Sequence, residues 1–156
     1  MAGDNTTSQA PPPAGAPVAP PASDVRLTLP ARAENVAVVR HVLGAVSEAI
    51  DLPRAVTEDI RLAVTEACTN VVRHAYGGGN GTIDVAVRRN GPALEVAVAD
   101  AGRGDGPSPD ASGPGLGLPL MAALAGSLRI EREAGAGSRL VMSFPRTRTT
   151  PAMRPA

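Results

Sequence analysis

Two runs of alternating apolar residues, Ile83, Val85, Val87 and Leu94, Val96, Val98, flank Asn90-Gly91. Alternation with period two marks strands with one buried face, and Asn-Gly is a strong hairpin signal because both residues tolerate positive φ. This pair commits the chain to an antiparallel sheet, and the rest of the sequence must cover one side of it. Val25, Leu27 and Leu29 alternate in the same way and stop at Pro30, as a short strand does. Val36, Val39, Leu43, Val46 and Ile50 recur at spacings of three and four, which draws one face of a helix. Asp51-Leu52-Pro53 breaks that helix, since proline restricts the residue before it and suits a first helical turn. Val56, Ile60, Ala63, Val64, Ala67 and Val71 outline a second, longer helix that ends at Gly77-Gly78-Gly79. A loop rich in glycine and proline, about 101–114, leads to a third apolar helix over about 116–124. Two last strands, around 128–131 and 139–144, flank Gly135-Ala136-Gly137.

The order strand, helix, helix, hairpin, loop, helix, hairpin implies an α+β sandwich, a mostly antiparallel mixed sheet with three helices on one face. Strict alternation of strand and helix is absent, which argues against a doubly wound dinucleotide fold despite the glycines. At 156 residues the chain has room for one ordinary domain with tails. Residues 1–23 are mostly Ala, Pro, Gly, Ser and Thr with a Pro11-Pro12-Pro13 run. They have little to bury and are expected to be a disordered extension. The domain is expected over 24–146, with a flexible tail over 147–156. Neither a secretory signal nor an apolar run of the roughly 20 residues needed to span a bilayer is visible, so a cytoplasmic protein without membrane contact is expected.

Composition removes several chemistries. All 15 basic residues are arginine, balanced by 15 Asp and Glu, so no field is strong enough to hold a nucleic-acid backbone by charge alone. The missing lysine excludes P-loop, Schiff-base and lysine-dependent kinase mechanisms. One Cys and two His make a poor zinc set, and one Tyr, one Phe and no Trp make no stacking platform for single-stranded nucleic acid.

Three clusters remain. On the second helix Glu66, Asn70, Arg73 and His74 fall at i, i+4, i+7 and i+8, so they share one side at the edge of the apolar stripe. A carboxylate beside a carboxamide suits Mg²⁺, which takes few protein ligands, and that carboxylate can also accept a proton from an attacking hydroxyl. The bland alternative is a solvated helix face. Asp100, Gly102 and Gly104 follow the strand ending at Ala99. A carboxylate there can accept a hydrogen bond from an exocyclic amine such as that of adenine, or the segment can be an ordinary turn. Gly113, Gly115 and Gly117 open the third helix, where free backbone N–H groups and the helix dipole favour an anion. Each cluster alone is ambiguous. Together they are the parts of one ATP pocket.

The run Glu66-Ala67-Cys68-Thr69-Asn70 through His74-Ala75-Tyr76, with these glycine motifs, resembles the GHKL (Bergerat-fold) ATPases, and among them the anti-sigma-factor serine kinases of the RsbW and SpoIIAB type. The resemblance covers most of 25–145. It implies Glu66 as general base, Asn70 as Mg²⁺ ligand and Asp100 as acceptor for the adenine amine, in a pocket shaped by Gly102 and Gly104. It places Gly115, Leu116, Gly117 and Leu118 at the phosphate end, Arg73 and His74 at the helix end, and Ser138, after Gly137, at the adenine side. Arg40 stands where family members carry an arginine that contacts protein partners. Cys68 reads as a small core residue. The loop from Gly104 to Gly115 is shorter than the family's usual lid and carries no basic residue beyond Arg103 at its entrance. The implied function is an ATP-dependent serine/threonine protein kinase acting as an anti-sigma factor, with ATP and Mg²⁺. Its partners would be a sigma factor and a STAS-like antagonist of that factor, with a homodimer also open. The short lid leaves open an alternative, a nucleotide-gated interaction module of the same fold with little kinase activity.

Overall fold

The computed structural model describes residues 24–102, 117–133 and 136–147. In chain order these form β1 (Val25–Pro30), α1 (Ala33–Ala49), α2 (Arg54–Asn70), which runs on into a π-helical turn over Val71–Ala75, then β2 (Thr82–Asn90), β3 (Ala93–Asp100), α3 (Gly117–Leu124), β4 (Ser127–Glu133) and β5 (Gly137–Pro145). One sheet has the strand order β1-β2-β3-β5-β4, and every neighbouring pair is antiparallel. The mixed pairing expected from the sequence is therefore absent among the described residues. Each strand neighbour in this sheet is reached by a hairpin or by an excursion that returns in the opposite direction.

The pleat explains the core. Leu94, Val96 and Val98 of β3 stand opposite Phe144, Met142 and Leu140 of β5, while Val87 and Val85 of β2 lie across from Val96 and Val98. These rows are buried against Val39 and Leu43 of α1, Ile60, Val64 and Cys68 of α2, and Met121 of α3. Neither α1 nor α2 has a side-chain hydrogen bond at its N-cap, positions held by Arg32 and Pro53. Burial of their apolar stripes, worth about 1.5–3 kcal/mol for each large side chain, is what holds the two helices in place.

The far face of the sheet carries charge. Arg88 donates to Glu95 at 2.9 Å directly across the β2–β3 ladder, Arg26 pairs with Asp84, and Arg129 and Arg139 reach Glu131. Glu95 is only 8 % exposed there, and its pairing with arginine is what makes that burial tolerable.

The β2–β3 turn differs from the sequence expectation by one residue. Asn90 pairs with Ala93, so the two central residues are Gly91 and Pro92, and Gly91 alone takes positive φ, at 56°. A left-handed first residue followed by a ring-fixed negative φ is the II′ pattern, in which the proline needs no donor.

Candidate nucleotide site

A narrow cleft of about 30 Å³ separates the end of α2 from the sheet. Ala67, Asn70, Val71, His74 and Ala75 form the helical wall; Val98, Asp100, Ser138 and Leu140 form the sheet wall. The pleat places the carboxylate. Asp100 continues the core-facing row Leu94-Val96-Val98 by one more step, and its register partner Ser138 does the same for Phe144-Met142-Leu140. The two rows thus end in polar residues where the core opens to solvent.

Asp100 is held on both oxygens. The Gly102 amide donates to Oδ1 at 2.9 Å, and the Ser138 hydroxyl donates to Oδ2 at 2.5 Å. An ionised carboxylate has about four lone-pair positions, so each oxygen keeps capacity for a further donor. Glycine is needed on both sides of this carboxylate. A Cβ on Gly102 would stand 2.1 Å from the Ala75 carbonyl oxygen, and one on Gly137 would stand 1.9 Å from the Asp100 carbonyl oxygen.

Glu66 and Asn70 lie one turn apart on α2, both half-buried, and α3 begins over them. A Cβ built on Gly117 would be 3.4 Å from Asn70 Nδ2, 3.8 Å from Asn70 Oδ1 and 3.8 Å from Glu66 Oε2. Carboxylate and carboxamide therefore converge on the N-terminal end of α3, where backbone N–H groups lack helical partners. Leu118 follows, half-buried against the core. Among the described residues no three His, Cys, Asp or Glu side chains are grouped to hold a metal. An oxygen pair of this kind fits Mg²⁺, which keeps several waters and takes its remaining oxygens from phosphates.

The π turn separates the other two residues of the first cluster. His74 lines the cleft, whereas Arg73 is exposed and does not line it. Gly104, Gly115 and Leu116, with Arg103, fall outside the described residues, as do the segments 1–23 and 148–156. Arg40 lies away from the cleft, on the exposed side of α1, beside Ala37, His41 and Arg61. Cys68 is fully buried, and burial pushes its thiol up to about 12. Sequence reasoning quoted Tyr76 only as the end of a motif. In the structure its hydroxyl donates to the Thr82 carbonyl at 2.6 Å and accepts from the Ala101 amide at 3.0 Å. Its signal was faint: it is the one tyrosine of the chain, placed just before Gly77-Gly78-Gly79.

The fold is a layered α+β sandwich in which an acid at the end of a core row forms part of the sheet wall of a cleft and Asn70 part of its helical wall. Residues 29–144 match the family model described as the histidine kinase-like ATPase domain, and the chain belongs to that family. It is 36 % identical over 76 residues to proteins named serine-protein kinase RsbW from Bacillus mycoides (strain KBAB4) and Bacillus cereus (strain ATCC 10987 / NRS 248). Each match covers 49 % of this chain and 48 % of the relative, so the aligned part spans about half the length of those proteins. Among solved structures, the RsbU and RsbW domains of Rv1364c from Mycobacterium tuberculosis superpose with a TM-score of 0.64 at 25 % identity, over 78 % of this chain and 31 % of that one. No helix among the described residues is long and apolar enough to cross a membrane.

Proposed function

We propose that this chain is an ATP-dependent serine/threonine protein kinase acting as a cytoplasmic anti-sigma factor. It binds a sigma factor and phosphorylates a small STAS-like antagonist of that factor. The convergence of Glu66 and Asn70 beneath the start of α3, with Asn70 and Asp100 on opposite walls of one cleft, carries this reading. The relatives named as RsbW kinases support it.

The adenine amine donates to Asp100, with Gly102 and Ser138 shaping the pocket around the base. Gly117 and Leu118 stand at the phosphate end, and His74 flanks the cleft from the helix. Asn70 would hold Mg²⁺, which would supply neutralisation of phosphate charge. Glu66 accepts the proton of the substrate serine hydroxyl as its oxygen bonds to the γ-phosphorus. The bond from that phosphorus to the bridging oxygen breaks, and ADP leaves. Arg40, on a separate face, contacts the protein partner, and a homodimer belongs to the same account.

Phosphate transfer from labelled ATP to a serine of a purified STAS-like antagonist tests it. Glu66→Gln should lower the transfer rate by about 10²–10⁴-fold, the usual worth of a general base, while ATP affinity is kept. Unchanged transfer in that variant contradicts the assignment.

A further inference from the structure

The cleft does not explain Tyr76. It does not line the cleft, yet its hydroxyl joins the start of β2 to the segment just after β3. The π turn over Val71–Ala75 ends α2 and delivers Tyr76, at φ −118° and ψ 4°, to the start of β2. There the ring lies where a side chain on residue 81 would be: a Cβ on Gly81 would stand 2.1 Å from Tyr76 Cζ. From this seat the phenol donates to Thr82 and receives the Ala101 amide. Ala101 sits between Asp100 and Gly102, the two residues joined by the bond from the Gly102 amide to Asp100 Oδ1. Fixing the Ala101 nitrogen fixes the peptide unit attached to the Asp100 Cα, and with it the base of the carboxylate.

We propose that Tyr76 is a positioning residue for base recognition. Its hydroxyl aims the open lone pairs of Asp100 at the exocyclic amine of an aminopurine nucleotide, a role that rests on the nucleotide site proposed above. Ser138 and Gly102 saturate one position on each Asp100 oxygen, so the direction left for an incoming N–H depends on how the Asp100–Ala101 backbone is turned. Tyr76 sets that turn. Both of its hydrogen bonds lie at an exposed site, where each contributes little to global stability. Their effect is local and falls on Asp100.

The test titrates the full chain with Mg-ATP and with the magnesium salt of inosine triphosphate, which lacks the amine. Wild type, Tyr76→Phe and Asp100→Ala are compared. The phenylalanine keeps the ring over Gly81 and removes only the hydroxyl. Tyr76→Phe should weaken ATP binding about five- to tenfold, the scale of one misdirected charge-assisted hydrogen bond. Binding of inosine triphosphate should be nearly unchanged, so that the preference for ATP collapses. Equal loss for both nucleotides would mean a structural role and overturn the proposal. So would a preference abolished in Asp100→Ala but intact in Tyr76→Phe, an outcome that leaves the nucleotide site standing. A wild-type protein that does not prefer ATP overturns both readings together. Amide exchange of Ala101 in the unsubstituted protein reads the clasp directly: protection is expected, and exchange at the rate of an open chain overturns it.

Discussion

Cys68 and Asp100 show how much one position in a pleat or a helical turn decides. Cys68 faces inward from α2 with its side chain fully buried, and desolvation raises its thiol pKa from 9.0 to about 12. At neutral or mildly basic pH the thiolate is therefore scarce, and the thiolate is the reactive form. Iodoacetamide should leave the native protein unmodified and add one adduct per chain after unfolding in guanidinium, counted by mass spectrometry. Modification of the native chain at the unfolded rate would mean that the core under the cleft opens. The pH dependence has a definite sign. The unfolded thiol loses its proton near 9 while the folded one keeps it, so above that pH the unfolded state binds fewer protons. This contribution is fully present below about 9 and is lost as pH rises toward about 12. Asp100 is the opposite case, an acid one step beyond an apolar row, at the place where the row meets solvent. Its alternation with Leu94, Val96 and Val98 was legible in the sequence. Its hydrogen bond from Ser138 was not legible in the residue pattern itself, because that donor lies 38 residues away.

At the scale of elements, close approach separates two glycines that look alike in sequence. Gly44 is inside α1, and the nearest atoms to a Cβ there would be those of the Arg61 guanidinium, the far end of a flexible side chain. Gly102 would meet the Ala75 backbone carbonyl, which cannot move without disturbing the π turn. Gly44→Ala should therefore be neutral or raise stability by up to about 1 kcal/mol through helix propensity. Gly102→Ala should lower the melting temperature and weaken ATP binding together. Thermal melts with and without nucleotide check both, and a costly Gly44→Ala beside a harmless Gly102→Ala would reverse the argument. The elements themselves were readable, since the three helices and five strands follow from period and from breakers. The helix start at Arg54 and the hairpin centre at Gly91-Pro92 lie within a few residues of the expected places. What period could not show is the π turn, because one widened turn at a helix end leaves the apolar stripe through Val71 unchanged. The Tyr76 clasp was hidden for a related reason. Its partners are backbone atoms of Thr82 and Ala101, and no residue type announces them.

For the whole molecule, the division of labour follows from the two faces of one sheet. The helix-facing side supplies the core and, at the ends of β3 and β5, the cleft. The far side is a lattice of arginines and carboxylates. The balanced charge of the chain leaves no net field to gather a polyanion, so an anionic ligand has to be held by local geometry, by helix N-termini and by a cation it brings with it. We infer that this cleft is a Mg-ATP site organised by Asp100 at the base and Asn70 at the phosphates. Calorimetric titration of Mg-ATP into the full chain, beside Asp100→Ala and Asn70→Ala, tests it most directly. Saturable binding is expected in wild type, lost in the Asp100 variant and weakened in the Asn70 variant or when magnesium is chelated. Absence of binding by the wild type at millimolar ATP, or equal binding by all three proteins, would contradict it.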